Sequence, residues 1–215
     1  MRNATTGRHH DAAGATHDLD TELPNWEEIY ARGPRWDIGR PQPAFLALAA
    51  SGAISGRVLD VGCGTGEHVL MCAAIGLEAT GVDIAGAAID AAERKAHERG
   101  LNARFLRHDV RRLAELEESF DTVLDSGLLV HVLNDEQDRL AYLQGLRAVV
   151  PSGGRYFVLC FRGPQSESGP RHLVREDVTD CFTEGWRVDS IEEATLDSLS
   201  DEDGIPAWLV ALTRI

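Results

Sequence analysis

The chain is short of positive charge. Its 215 residues carry 21 Lys and Arg against 35 Asp and Glu, a formal net charge of −14. So negative a chain repels phosphate backbones and anionic headgroups, which argues against a nucleic-acid or membrane partner. No run of Lys or Arg offers a local exception. Cysteine is scarce too. Cys63, Cys72, Cys160 and Cys181 form neither a CxxC pair nor a zinc-ligand spacing. A disulfide scaffold and a zinc module are thereby excluded, and small core residues in a reducing cytoplasm are expected. No apolar run approaches the roughly 18 residues of a membrane span. The first 20 residues lack the apolar stretch of a secretory signal, and no internal repeat is visible. What is present is ordinary for a globular protein: 43% hydrophobic and 26% charged residues.

Residues 1–20 are poor in large apolar side chains and read as a flexible tail, so His9, His10 and His17 offer no fixed metal geometry. Residues 21–215 read as a single domain whose first part, about 21–52, forms a helical cap. Thr21–Ala31 predicts a short helix, the Pro- and Gly-rich GPRWDIGRPQP a loop, and Pro43–Ala50 a second helix. Strands are then expected at Arg57–Gly62, Glu78–Ile84, Ala103–Asp109, Phe120–Ser126 and Arg155–Phe161. Helices are expected at Gly66–Ile75, Ala85–Arg99 and Asp135–Val150, and the strand-like Trp186–Ala194 and Ala207–Arg214 close the chain. Strands alternating with helices mean right-handed βαβ units and a parallel sheet covered on both faces.

The chemistry gathers at the predicted strand ends. The first strand runs into Asp60-Val61-Gly62-Cys63-Gly64-Thr65-Gly66, where glycines let a ligand approach the backbone and the next helix offers free amides. Alone, such a loop is also compatible with an empty tight turn. Asp83 ends the second strand, 17 residues past Gly66, where a carboxylate accepts from ribose hydroxyls. Asp109 ends the third strand, and Asp125 and Ser126 end the fourth. Two cofactor classes fit an adenosine site of this kind. A dinucleotide would need a phosphate beside Glu67, a like charge that disfavours it. Asp60 suits an ammonium group, and S-adenosylmethionine (SAM) carries ribose, adenine and an ammonium without phosphate.

VLDVGCGTG, GVDI, RHDV and FDTVLDSG, in this order, resemble the class I SAM-dependent methyltransferases over roughly residues 25–195. The resemblance implies an α/β, Rossmann-like sheet of seven strands in the order 3-2-1-4-5-7-6. The last strand would be antiparallel, with helices on both faces. It also implies that Gly62, Cys63 and Gly64 lie against the methionyl part of SAM, with Gly66 in the same loop. Asp83 would take the ribose, Ile84 the adenine face, Asp109 and Val110 the adenine edge, and Ser126 and Gly127 the neighbourhood of the sulfonium. WEEIY followed by RWDIGRP is similar to the cap of the thiopurine and halide/thiol methyltransferases, which implies that Trp26, Tyr30 and Trp36 close over the cofactor. Tyr30 stands where that group usually has Trp, and Arg35 where Pro is common. Gly169-Pro170-Arg171 resembles a substrate loop of the same group, making Pro170 and Arg171 candidate acceptor contacts.

The expected activity is methyl transfer to a small-molecule nucleophile, a thiol or a halide first. Alignment and water exclusion do most of the work there. A hydroxyl or amine acceptor would need a general base, and His131 is the candidate; its alternative role is packing. Arg40 either orients an anionic substrate or binds nearby carboxylates. No metal is expected. An NAD(P)-dependent oxidoreductase and a non-catalytic SAM-binding protein stay open as alternatives, as does the choice between monomer and homodimer.

Overall fold

The computed structural model describes residues 25–163 and 172–215. The expected tail and the Gly169-Pro170-Arg171 loop therefore lie outside the described residues. Two helices come first, α1 (Trp26–Ala31) and α2 (Pro43–Ala50). Then follow β1 (Val58–Val61), α3 (Glu67–Ala74), β2 (Ala79–Asp83), α4 (Gly86–Arg99) and β3 (Arg104–Arg107). A 3-10 helix (Val110–Leu116) leads to β4 (Thr122–Ser126), α5 (Leu129–Val132), α6 (Glu136–Val149) and β5 (Arg155–Phe161). The chain closes with α7 (Arg175–Cys181), β6 (Trp186–Ser198) and β7 (Asp201–Arg214).

One seven-stranded sheet has the order β3-β2-β1-β4-β5-β7-β6. β1 to β5 pair in parallel, while β7 runs antiparallel to both β5 and β6. This is the expected Rossmann-like architecture. Every residue of β1 and β2 is buried, as befits central strands covered on both faces. One face packs Leu59, Val123, Tyr142, Leu146 and Tyr156 beneath α5 and α6. The other packs Phe45, Leu70, Ile89, Leu124 and Phe157 beneath α2, α3 and α4. Each such side chain contributes about 1.5–3 kcal/mol through burial.

Register decides what shares an edge. Val61 lies opposite both Val82 and Asp125, so β1, β2 and β4 end together. Chain direction changes sides at β1, and the glycine loop, Asp83 and Ser126 meet at that switch point.

Some elements differ from expectation. The strand predicted over Ala103–Asp109 stops at Arg107, because Asp109 instead caps the 3-10 helix through the amide of Arg111 at 2.9 Å. The last two strands are longer than predicted and form one hairpin. The acids between Asp189 and Asp203 hid it, since they obscure the apolar alternation. Leu196 and Ala207 nevertheless point inward, 3% and 0% exposed. α5, α7 and the 3-10 helix are too short to announce themselves by periodicity.

Candidate active site

A cavity of about 1380 Å³ opens over the C-terminal ends of the strands, beneath the cap. Its floor is the glycine loop. Gly64 has φ +53°, and a Cβ there would sit 2.9 Å from the Tyr30 hydroxyl, so the aromatic cap rests directly on the bare backbone. At Gly66, φ is +85° and a Cβ would meet Phe105 and Ala92 at 2.7 and 2.8 Å; helix α3 can begin only with glycine there.

Asp83 reaches the floor from β2. Its carboxylate accepts from the amides of Gly64 and Ala85, each at 2.9 Å. Burial raises its pKa above the usual carboxylate value, partly opposed by those amides. Each oxygen keeps a lone pair for a further donor. Asp60 stands one layer back. It is 1% exposed and absent from the cavity wall, and its Oδ2 has no hydrogen-bond partner. His68 Nδ1 lies 3.6 Å from it. Nε2 of His68 accepts from the Gln42 amide at 3.2 Å, which leaves the ring proton on Nδ1, facing Asp60.

The cap is an aromatic arch. Trp26 and Trp36 meet edge to face at 6.2 Å, Tyr30 and Trp36 at 6.3 Å, and Trp26 and His131 at 5.1 Å. Desolvation raises the Tyr30 pKa, so its hydroxyl stays protonated. Helix α1 buries no residue of its own and is held by Glu27. That carboxylate accepts from the amides of Gly86 and Ala87 at 2.8 and 3.0 Å, and it pairs with Arg107 at 3.1 Å. Because α4 has no side-chain cap from its own N-cap Ala85, the helix under the arch also latches it.

The cavity wall brings together Trp26, Tyr30, Trp36, Arg40, Gly62, Cys63, Gly64, Gly66, Asp83, Ile84, Asp109, Val110, Ser126, Gly127 and His131, all singled out in the sequence. Asp60 is the exception among the described candidates, and Pro170 and Arg171 lie outside the described residues. Two expectations need correction. Asp109 is not a free carboxylate, because Arg111 binds both its oxygens at 2.6–3.0 Å and also bridges to Asp138 at 3.2 Å. Glu67 does not present a bare negative charge, for it receives Lys95 at 2.8 Å and Arg99 at 2.8 and 2.9 Å. Burial opposes its ionisation, but these partners outweigh that and hold its carboxyl below the usual range. The argument that Glu67 repels a phosphate therefore fails. Of the two roles open for Arg40, carboxylate binding is the one the structure has: it pairs with Asp197 at 2.8 Å and ties cap to hairpin. His108, next to Asp109, also lines the cavity, with its Nε2 3.0 Å from the carbonyl oxygen of Arg112.

His131 stands on α5, beyond β4. Burial lowers its pKa below the ordinary histidine value, so the imidazole is neutral at pH 7. The wall beyond it is made by Leu128, Val132, Phe161, His172, Leu196 and Ile205. Sequence reasoning missed this half, although the strand-end rule applied to β5 points to Phe161. Nothing local in the sequence points to Leu196 or Ile205, which the hairpin brings in.

The residues present suit SAM. They offer a backbone floor, a buried acid at the end of β2 facing the cavity, an unsatisfied carboxylate oxygen behind the loop and aromatic faces suited to a cation. Residues 58–154 match the family described as a methyltransferase domain. The 2-heptyl-1-hydroxyquinolin-4(1H)-one methyltransferase of Mycobacteroides abscessus is 35% identical over 184 residues, covering 83% of this chain and 80% of that one. The probable thiol methyltransferase 2 of Arabidopsis thaliana is 29% identical over 154 residues, covering 69% and 66%. A solved structure concerned with the conversion of a disulfide bond into a thioacetal group during echinomycin biosynthesis superimposes with a TM-score of 0.79 at 34% identity, over 88% of this chain and 91% of that one. The chain belongs to the class I SAM-dependent methyltransferases, and its cofactor is SAM. Among the described residues, no helix is long and apolar enough to cross a membrane.

Proposed function

We propose that the chain methylates a hydroxyl on a small, flat, largely apolar acceptor, with His131 taking the proton. His131 carries this reading: a partly buried, neutral imidazole on the cavity wall, held against Trp26. Bound SAM supplies an electrophilic methyl group on a sulfonium. The arch of Trp26, Tyr30 and Trp36 excludes water and presents aromatic faces to positive charge. Asp83 holds ribose hydroxyls, Gly62 to Gly66 provide close backbone approach, and Ile84 and Val110 flank the adenine. Asp60, behind the loop with His68, serves the ammonium end. His131 Nδ1 or Nε2, whichever is unprotonated, accepts the acceptor's proton as its oxygen becomes nucleophilic.

The acceptor half of the cavity supports a neutral, aromatic compound. Phe161 and His172 stack at 5.8 Å and 22°, next to Leu196 and Ile205. Of the four arginines on the cavity wall, Arg40, Arg107 and Arg111 each pair with a carboxylate, and Arg35 has no ion pair among the described residues. A relative named for a hydroxyquinolinone fits that lining in chemistry and size. A thiol acceptor is the second reading, favoured by the thioacetal-forming neighbour and the probable thiol methyltransferase. A halide has no proton to lose and would leave His131 idle.

Transfer of labelled methyl from SAM to 2-heptyl-1-hydroxyquinolin-4(1H)-one, an aryl thiol and iodide tests the choice. The quinolinone is expected to be methylated, and His131→Gln to lower its kcat about a hundredfold at pH 7. Transfer to the thiol or iodide alone, or a His131→Gln enzyme as fast as wild type on the hydroxyl, would sink the proposal.

A further inference from the structure

Asp125 ends β4 beside Ser126, yet it turns away from the cavity. It is fully buried and absent from the cavity wall. An ionised carboxylate in a core is costly unless every lone pair is used, and here four donors converge on it. Oδ1 accepts from the amides of Leu128 and Leu129 at 2.9 and 3.2 Å. Oδ2 accepts from the hydroxyls of Tyr142 on α6 and Tyr156 on β5 at 2.7 and 2.8 Å. Both tyrosines are fully buried, and their oxygens lie 3.0 Å apart. With both hydroxyl protons on Asp125, all four carboxylate lone-pair sites are filled.

Leu128 and Leu129 begin the four-residue α5. So short a helix has no stability of its own. Leu129, Val130 and Val132 are buried and anchor it in the core, and it turns His131, with Val132 beside it, to the cavity. The amides that Asp125 holds are the first ones of this turn. Through Tyr142 and Tyr156 the same carboxylate is tied to α6 and β5, two elements that do not reach the cavity at these positions.

We propose that Asp125, Tyr142 and Tyr156 form a buried positioning cluster that sets the helical turn presenting His131 to the methyl acceptor. The inference rests on the reading of His131 as proton acceptor and adds the parts that aim it. These three are positioning residues, since none touches cofactor or acceptor. The cluster accounts for two tyrosine hydroxyls in the core where phenylalanine would pack as well. It also accounts for a carboxylate facing away from the reaction it neighbours.

The test uses the full chain with Tyr142→Phe, Tyr156→Phe and Asp125→Asn, each alone and combined with His131→Gln. The phenylalanine variants delete one hydroxyl and keep the ring, so core volume is preserved. A cooperative thermal melt selects the folded variants for comparison. The first readout needs no acceptor: the His131 imidazole NMR signal in the presence of SAM, assigned by its loss in His131→Gln. It is expected to shift and broaden in the cluster variants, while the His68 signal from α3 stays put. The second readout is methyl transfer to 2-heptyl-1-hydroxyquinolin-4(1H)-one. There kcat should fall about tenfold or more, with the KM for SAM unchanged, and that loss should vanish in the His131→Gln background.

An unmoved His131 signal in folded variants overturns the proposal, as does an equal loss of kcat in both backgrounds. If His131→Gln alone turns over at the wild-type rate, the base reading falls separately. The imidazole signal then still upholds or overturns the positioning role. Because Tyr142 and Tyr156 are tested independently, one misfolded variant does not decide the outcome.

Discussion

Two buried carboxylates, Asp83 and Asp125, end neighbouring parts of the same sheet and face opposite ways. Burial raises both pKa values, Asp125 to about 6 against the pull of two tyrosine hydroxyls and two amides. For Asp125 the raised folded value means that folding favours the protonated acid. The stability linked to this group is fully present below the ordinary carboxylate pKa and is lost as pH rises through about 6. We expect the unfolding free energy of wild type, relative to Asp125→Asn, to drop by about 1 kcal/mol between pH 5 and pH 7.5 in urea titrations. A flat difference over that range would refute the assigned protonation. Asp83 faces the cavity, so its prediction concerns binding. Asp83→Asn keeps one acceptor for the Gly64 and Ala85 amides but puts a donor where, in the proposed binding mode, ribose hydroxyls need an acceptor. SAM affinity measured by calorimetry should fall at least about tenfold, equivalent to one charged hydrogen bond.

At the scale of elements, the cap and α4 depend on each other. The α4 amides of Gly86 and Ala87 have the Glu27 carboxylate of α1 as their partner. The hydrogen bonds from these amides, with Arg107 nearby, hold the Glu27 carboxyl below the usual range, so the latch stays charged and closed at neutral pH. Glu27→Gln is expected to speed hydrogen exchange at Gly86, Ala87 and the α1 backbone, and to raise the SAM dissociation rate several-fold in stopped-flow fluorescence. Unchanged exchange at those amides would show that α1 is held by its aromatic contacts alone. The tryptophans and tyrosine of the arch were legible in the sequence through the resemblance of WEEIY and RWDIGRP to a known cap. Glu27 was not, because its partners lie 59 and 60 residues away and are backbone amides.

Across the whole molecule, the strap between α1 and α2 is stitched to the β6–β7 hairpin. The Gln42 side chain donates to the Asp197 carbonyl at 3.0 Å and accepts from the Asp197 amide at 2.8 Å, and Leu199 N donates to the Arg35 carbonyl at 2.8 Å. Gln42 N also reaches His68 on α3, next to the glycine loop. The stitch therefore joins the glycine-loop side of the cavity to the β6–β7 hairpin, which under the proposed function means the cofactor half to the acceptor half. Gln42→Ala should raise the acceptor KM several-fold while SAM affinity changes little. An equal rise in both would place the stitch in the general stability of the cap instead.

The sequence by itself determined the alternation of strands and helices, and with it the edge where Gly62 to Gly66, Asp83, Asp109 and Ser126 assemble. These features are local: strand burial, glycine at positive φ and acids at strand ends follow from a few neighbouring residues. It did not determine which charges are free. Asp109 and Glu67 read as bare acids until Arg111, Lys95 and Arg99 stood beside them, and Arg40 kept two open roles until Asp197 stood beside it. Nor did it show His131 as neutral or Asp125 as its support, since burial and hydrogen-bond partners drawn from α6 and β5 set both. Only the tertiary structure decided these, because the charge state of a group depends on what surrounds it in space, and those neighbours come from distant parts of the chain.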